Sequence, residues 1–283
     1  MSQPILVIGA NGNVGGAVVT QLADAGHAVR AAARRPDSLD TPTSVSTIRL
    51  DYDDPASFAP ALTDVQAVFA VAPPLDAHAD KRMRPFLEAI RDHGTPRLVL
   101  LTAIGADDPD AGALYRLEHI AADFDIPRTV LRPNWFMDNF YPGYLYGTIK
   151  DQGAFYLPTD NAASALIAVD DIAACAVAAL TADTADNRAY DLTGPEGLDH
   201  HQVARTLSEL GGRNIRYVAV DEAAARAGME GMDESAIDYM IDLYRRFRAG
   251  YAAEVKSGVR DLLGRDPIDF RTWAEARAEA FQA

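Results

Sequence analysis

The sequence predicts an α/β protein: a Rossmann-type, doubly wound parallel sheet that carries a smaller, mostly helical C-terminal lobe. Three observations lead there. Apolar runs of strand length alternate with helical patterns through the first half of the 283 residues, as a parallel sheet covered by helices on both faces requires. Most of those runs are apolar nearly throughout rather than at every second residue, which suits strands buried on both sides. The first run is followed at once by glycines at a spacing of three, in "PILVIGANGNVGGAVVTQL", and these lead into a helical pattern.

In order, the candidate strands are Ile5–Gly9, Ala28–Ala33, Thr47–Leu50, Ala67–Ala72, Arg97–Thr102 and a short one at Thr129–Leu131. Helices are expected between them near Val14–Ala25, Pro55–Leu62, Lys81–His93 and Ala111–Phe124. Asp54 before Pro55 has the form of an N-cap followed by proline at the first helical position. Gly26 and Gly94 follow helical runs as stops, and Asp199 with Gln202 forms a capping box. After about residue 150 the pattern changes: "YDLTGPEG" gives one more strand, and Asp221–Phe281 is mostly helical. Residues 1–155 are expected to form the dinucleotide-binding domain, with a segment at about 165–195 returning to it. Residues 196–283 form the predicted substrate lobe, and the cleft between the two is the expected ligand site.

Composition excludes several classes. A net charge of −15 opposes binding to nucleic acid or to an anionic membrane surface, both of which need clustered Lys and Arg. The single cysteine, Cys175, permits no intramolecular disulfide and lies in an apolar helical run, so a buried inert thiol in a reducing cytoplasm is expected. The six histidines are scattered, and no metal site is expected. "ILVIGA" lacks a basic flank and is too short for a signal peptide or a membrane span. The expectation is a cytoplasmic monomer or homodimer acting on a small molecule.

The glycine turn carries the first functional inference. Gly9 closes the strand in a tight turn, Gly12 leaves room for a pyrophosphate, and Gly15 lets the helix pack against the strand. The helix N-terminus then offers unpaired N–H groups to the phosphates, with Asn11, Asn13 and Val14 completing the predicted contacts. The spacing is G-x-x-G-x-x-G, and no G-x-x-x-x-G-K-[ST] occurs, which excludes a P-loop. The second strand ends in Arg34 and Arg35, where an NAD site usually carries Asp or Glu. Guanidinium there suits a 2′-phosphate, so NADP(H) is preferred over NAD(H); Asp37 is the one contrary sign. Asp51 and Tyr52, ending the third strand, would flank the adenine, although packing alone also accounts for Tyr52.

"RPNWFMDNFYPGYLYGTIKDQGAFY" follows the sixth strand, at the sheet edge where open α/β folds bind ligands. Eight aromatics fall in the 22 residues Trp135–Tyr156. A core role explains some of them, and an apolar, flat substrate held by stacking explains such a concentration. Trp135, Phe136, Phe140, Tyr141 and Tyr144 are the candidate walls, with Asn134, Asn139, Tyr141 and Tyr144 as polar contacts. Farther on, Tyr239, Ile241 and Leu243 are expected to pack the lobe, and Arg245, Arg246 and Arg248 to form a solvated face.

Together "GANGNVG", "AARR", "LDYDD", "LRPNWFMDNF", "VDDIAACAVAAL", "YDLTGPEGL" and "LLGRDPIDF" resemble the NmrA-like, atypical short-chain dehydrogenase/reductase group along nearly the whole chain. That group includes NADPH-dependent quinone reductases, imine or enone reductases of alkaloid type, and redox-sensing regulators. The resemblance implies further cofactor contacts at the strand ends Ala72-Pro73, Thr102 and Pro133. Thr102 sits where such enzymes keep a Ser or Thr near the nicotinamide, as a hydrogen-bond donor. The Tyr-x-x-x-Lys pair of typical members is lost: its positions fall near Asp110 and Leu114, and the nearest echo is Tyr115-x-x-x-His119. Tyr115, Thr102 and Asn139 are the candidate catalytic residues, with a plain helix-face tyrosine as the other reading of Tyr115. The expected activity is NADPH-dependent hydride transfer to a quinone, enone or imine, since electron-poor acceptors can take their proton from a weak acid. A non-catalytic NADP(H) sensor and a non-redox isomerisation or elimination remain open.

Overall fold

A computed structural model describes residues 3–94 and 97–282, so the outermost ends of the two expected domains lie outside the described residues. The chain runs β1 (Ile5–Ile8), α1 (Asn13–Asp24), β2 (Val29–Ala33), β3 (Ser46–Arg49), α2 (Phe58–Leu62), β4 (Ala67–Val71), α3 (Ala79–Asp92), β5 (Leu98–Leu101), α4 (Ala113–Asp123) and β6 (Arg128–Pro133). It continues through α5 (Tyr146–Gln152), β7 (Ala154–Leu157), β8 (Ala163–Ser164), α6 (Val169–Thr181), β9 (Ala189–Leu192), β10 (Leu198–Asp199) and α7 (His200–Gly211). The last elements are β11 (Arg216–Ala219), α8 (Glu222–Ala227), α9 (Glu234–Arg248), α10 (Gly258–Leu263) and α11 (Phe270–Glu275). Each strand expected in the first half appears within a residue or two of its predicted ends. Short pairs β8–β10 and β7–β11 were not anticipated, because runs of two to four residues carry too little periodicity.

The main sheet has seven strands in the order β3-β2-β1-β4-β5-β6-β9, all parallel. Ile5 of β1 lies opposite Val29 of β2 on one side and Ala67 of β4 on the other. The direction of winding reverses between β1 and β4, which opens a crevice at the carboxyl ends of the strands.

Alternate residues of each strand serve opposite cores. Val7 and Phe69 pack with Val18 and Leu22 of α1 and with Ile172 and Ala176 of α6. Leu6 and Val68 face Met83, Phe86 and Leu87 of α3 and Leu117 of α4. Burying both faces explains why the strands lack polar alternation. Cys175 is fully buried in the first core, and that burial pushes its thiol up to about 12, leaving it inert at neutral pH.

A third core builds the small lobe. Phe140, Phe155, Phe270 and Trp273 pack there with Val203, Leu207 and Ile241. Inside it His200 Nδ1 is hydrogen-bonded to the Thr159 hydroxyl at 2.8 Å, and Tyr217, 3.0 Å from the same hydroxyl, donates to the Leu157 carbonyl at 3.1 Å. Burial holds His200 down to about 4, so it is neutral. The expected N-cap at Asp54 and the capping box of Asp199 with Gln202 are both present. Among the described residues no helix is long and apolar enough to cross a membrane, and no cluster of His, Cys, Asp and Glu has metal-binding form.

Candidate active site at the carboxyl edge of the sheet

The crevice begins at the turn between β1 and α1. Gly9 has φ +72°, and Gly12 N–H donates to its carbonyl over 2.8 Å. A Cβ on Gly15 would lie 2.2 Å from the Gly9 oxygen, so only glycine lets α1 start here. One on Gly12 would come no nearer than 3.3 Å to that oxygen; the protein nearly tolerates a side chain there, and the bare Cα leaves open space above the turn. Gly12 caps α1 with no side-chain hydrogen bond, and the first turn holds no acid. Its free N–H groups therefore suit an anion. Asn11, Gly12 and Asn13 are exposed. Val14 is buried in the core, so it can offer only its backbone.

Beside the turn lies a cavity of about 360 Å³ lined by Gly9, Asn11, Arg34, Arg35, Tyr52 and Pro73, among others. Ala72, Asp51 and Ser38 also line it, whereas Asp37 does not. Arg34 and Arg35 are exposed, and among the described residues neither guanidinium is ion-paired. Tyr52 donates to the Val71 carbonyl over 3.2 Å and packs on Phe86. Arg82, which the sequence did not point to, braces the rim through Asp53 at 3.1 Å and Asp76 at 2.9 Å. Free helix N–H groups, an open glycine and two unpaired guanidiniums fit a dinucleotide phosphate chain.

The segment after β4 separates this cavity from a second. Pro73 and Pro74 line the first; Leu75, held at φ +55°, lines the second. The second cavity, about 260 Å³, is walled by Thr102, Ile104, Pro133, Trp135, Phe136 and Asn139. Asn134, Tyr144, Met240, Leu243 and Tyr251 complete most of the wall. Trp135 stacks on Tyr244 at 5.5 Å, which fixes its plane. Tyr144 is 55% exposed at the mouth, its hydroxyl 3.4 Å from that of Tyr244.

Several expected contacts change role. Thr102 donates its hydroxyl hydrogen to Glu118 over 2.7 Å, and Arg132 grips that carboxylate through Nε at 3.0 Å and Nη2 at 2.5 Å. The expected donor therefore presents only lone pairs to the cavity and acts as an acceptor. Asn134 is 2% exposed, and its amide is spent on the Ala252 carbonyl at 2.8 Å and the Trp135 N–H at 2.8 Å. Phe140 and Tyr141 are not walls. Phe140 is 1% exposed against Phe155 and Phe270, while Tyr141 packs edge-on to Tyr146. Both fill the lobe core, since a run this aromatic must supply two neighbouring apolar volumes. Tyr115 lines neither cavity; its ring lies 4.0 Å from that of His119 along one face of α4. The Asn139 amide makes no intramolecular hydrogen bond among the described residues and is free for a ligand.

A third cavity, about 240 Å³, continues from the second and shares Ala103, Ile104, Leu243 and Tyr251 with it. Asp110 and Leu114, near which the resemblance would place the Tyr and Lys of typical relatives, line it. So does Arg246, which separates it from its neighbours: Arg245 and Arg248 both pair with Glu222 on the surface. The basic cluster is thus a solvated face for two of its three members. Leu75, Met240, Leu243 and Tyr251 were missed because they come from a loop and a charged helix with no local motif.

The comparisons agree with this geometry. The NAD(P)H-binding family matches over residues 9–183, which spans the whole glycine turn and both ends of the crevice floor. The chain belongs to this family. It is 33% identical to the NAD(P)H azoreductase of Xenophilus azovorans, over 99% of each chain. It is 34% identical to the (4-alkanoyl-5-oxo-2,5-dihydrofuran-3-yl)methyl phosphate reductase of Streptomyces griseus subsp. griseus, covering 98% of this chain and 99% of the other. Among solved structures, an NADPH complex of the NADPH-dependent quinone oxidoreductase of Escherichia coli superposes with a TM-score of 0.83 at 20% identity. The match covers 96% of this chain and 99% of that one. The chain is accordingly an NAD(P)H-dependent oxidoreductase.

Proposed function

We propose that this reductase takes NADPH in preference to NADH and passes its hydride to a flat, conjugated acceptor such as a quinone, enone, imine or azo compound. One observation carries the acceptor class: the second cavity is a slot of about 260 Å³ walled by aromatic and aliphatic side chains. Its polar groups are the Thr102 lone pairs, the free Asn139 amide and the hydroxyls of Tyr144 and Tyr251. Among the described residues no carboxylate, amine or imidazole lines it, which disfavours an isomerisation driven by acid–base pairs. A cavity of this kind also disfavours a sensor, which needs no acceptor site. The named activities of the relatives, an azoreductase and a quinone oxidoreductase, concern conjugated acceptors.

In this reading α1 and the glycine turn bind the pyrophosphate, and Arg34 with Arg35 take the 2′-phosphate. The bound nicotinamide supplies the hydride. Thr102, held by Glu118 and Arg132, would offer its lone pairs to the carboxamide N–H of the bound cofactor. Trp135, Phe136 and Leu75 exclude water from the acceptor.

The test is oxidation of NADPH and NADH, in parallel, against quinones, enones, imines, azo dyes and aldehydes. Turnover with NADPH and a conjugated acceptor supports the proposal. The double substitution Arg34→Ala/Arg35→Ala should weaken NADPH binding ~10–100-fold and leave NADH within about twofold. Equal losses for both cofactors would remove the 2′-phosphate role, and tight NADPH binding without turnover on any acceptor would remove the reductase.

A further inference from the structure

By the resemblance, the proton-transfer pair of typical relatives would fall near Asp110, in the turn before α4, and Leu114 on α4, and neither is a tyrosine or lysine; Tyr115 lies along His119. A different tyrosine stands in the acceptor cavity. We propose that Tyr251 is the catalytic acid, giving its phenolic hydrogen to the acceptor atom that becomes anionic as its neighbour takes hydride. This rests on the reductase reading above.

Placement is the main ground. Tyr251 lines both the second and the third cavity, so it stands between the slot walled by Thr102 and Trp135 and the space that Arg246 lines. Its ring is seated on Gly105 (φ +82°), where an added Cβ would stand 3.3 Å from ring carbon Cε2. The next residue is pinned twice: the Ala252 carbonyl accepts from Asn134 Nδ2 at 2.8 Å and from the Ala165 N–H at 2.9 Å. Asn134 and Gly105 thus hold the segment that carries the phenol. Pre-organisation of this kind suits a reacting group.

The electrostatics agree. Burial raises the phenol above its usual value, while the Arg246 guanidinium and the Trp135 indole N–H lower it. At neutral pH the group is protonated and ready to donate, and Arg246 stabilises the phenolate that donation leaves. Tyr239 from α9 faces the same guanidinium. The other charges in the third cavity are Arg116, paired with Asp80 at 2.6 Å, Asp242, paired with Arg245 at 2.8 Å, and Asp110. The bonds balance for an acceptor X=Y. Hydride brings its electron pair to form H–X, the π pair moves to Y, and the Tyr251 O–H bond breaks as H–Y forms. The dinucleotide is oxidised by two electrons, the acceptor is reduced by two, and water reprotonates the phenolate.

The test compares acceptors whose reduced anions differ in basicity. In Tyr251→Phe, single-turnover reduction of an enone should fall at least ~100-fold, and that of a quinone, whose reduced anion is a far weaker base, less than ~10-fold. NADPH affinity, read from nicotinamide fluorescence, should stay within about twofold. Alkaline phenolate absorbance of the cofactor-free protein should lose one ionisation in Tyr251→Phe, and Arg246→Gln should move that ionisation to higher pH. Native rates in Tyr251→Phe overturn the proposal, and so do equal losses on both acceptors accompanied by lost NADPH binding, which mark a structural tyrosine. If Tyr251→Phe does not fold, Arg246→Gln decides: a loss confined to enones with an upward shift supports the proposal, and neither effect overturns it. A native protein that reduces no acceptor at all removes the reductase reading, and the proton donor with it.

Discussion

The dinucleotide end of the crevice is made mostly of backbone and of contiguous chain, whereas the acceptor end is assembled from side chains that arrive separately. At the first, the turn Gly9–Gly15 needs glycine at both ends and a helix start, and Arg34 and Arg35 follow directly from β2. At the second, Leu75, Thr102, the pair Trp135 and Asn139, Leu243 and Tyr251 come from separate parts of the chain and meet only in the folded protein. Contacts of the first kind depend on conformation and survive changes nearby. Contacts of the second kind depend on buried partners and on the lobe staying in place. The two ends should therefore fail separately.

The largest expected effect breaks the acceptor end from below. Glu118 and Arg132 are 9% and 13% exposed in their side chains, and Arg132 Nη1 lies 3.7 Å from both Asp107 and Asp191. Glu118→Ala strips Arg132 of its bidentate partner and Thr102 of its acceptor. Breaking a buried pair by removing one member costs about 3–5 kcal/mol, a fall in melting temperature of roughly 10 °C. Thermal unfolding checks this. In the protein that remains folded, NADPH affinity should change less than acceptor turnover. A loss under about 1 kcal/mol would show that the pair is dispensable and that Thr102 is held by something else.

Acid sharpens the contrast through a buried group of the lobe. His200 is 4% exposed, and its ring lies 5.4 Å from that of Phe247, which in turn meets Trp135 edge-on at 5.4 Å. Its folded value, about 4, lies below the ordinary 6.5. The stability due to the neutral imidazole is thus complete above pH 6.5, declines as pH falls because the unfolded chain gains the proton first, and is lost below pH 4. The total is about 3 kcal/mol. Chemical denaturation at pH 7 and pH 4.5 should show the difference, and His200→Gln should flatten it. Acceptor turnover should fail at a higher pH than NADPH binding. Simultaneous failure would mean that the lobe and the sheet unfold as one unit.

The same division explains what the sequence revealed. Position and type of the first six main-sheet strands followed from apolar runs, and the tight turn into α1 from glycine spacing, because both are local. The aromatic segment was legible as a concentration but not as a partition. Nothing in Trp135–Tyr156 says that Trp135, Phe136 and Tyr144 reach the cavity while Phe140, Tyr141 and Phe155 fill the lobe core. Thr102 was legible as a strand-end residue, and it does line the cavity; the direction of its hydrogen bond was not, since Glu118 lies on the next helix. Tyr251 had no motif at all, and its placement depends on Asn134 and Gly105.

Asn139 gives the smallest expected effect and the cleanest comparison with its neighbour Asn134. Both line the acceptor cavity, yet only Asn134 spends its amide inside the protein. Removing the Asn139 amide leaves no buried partner unsatisfied, so Asn139→Ala should leave stability within about 0.5 kcal/mol. A ligand that used that amide loses one hydrogen bond, so kcat/KM for the acceptor should fall roughly tenfold with NADPH affinity unchanged. Asn134→Ala should do the reverse: it frees Ala252 and Trp135 and destabilises the protein by about 1–3 kcal/mol. If the two substitutions behave alike, the free amide is not an acceptor contact, and the slot orients its ligand by shape alone.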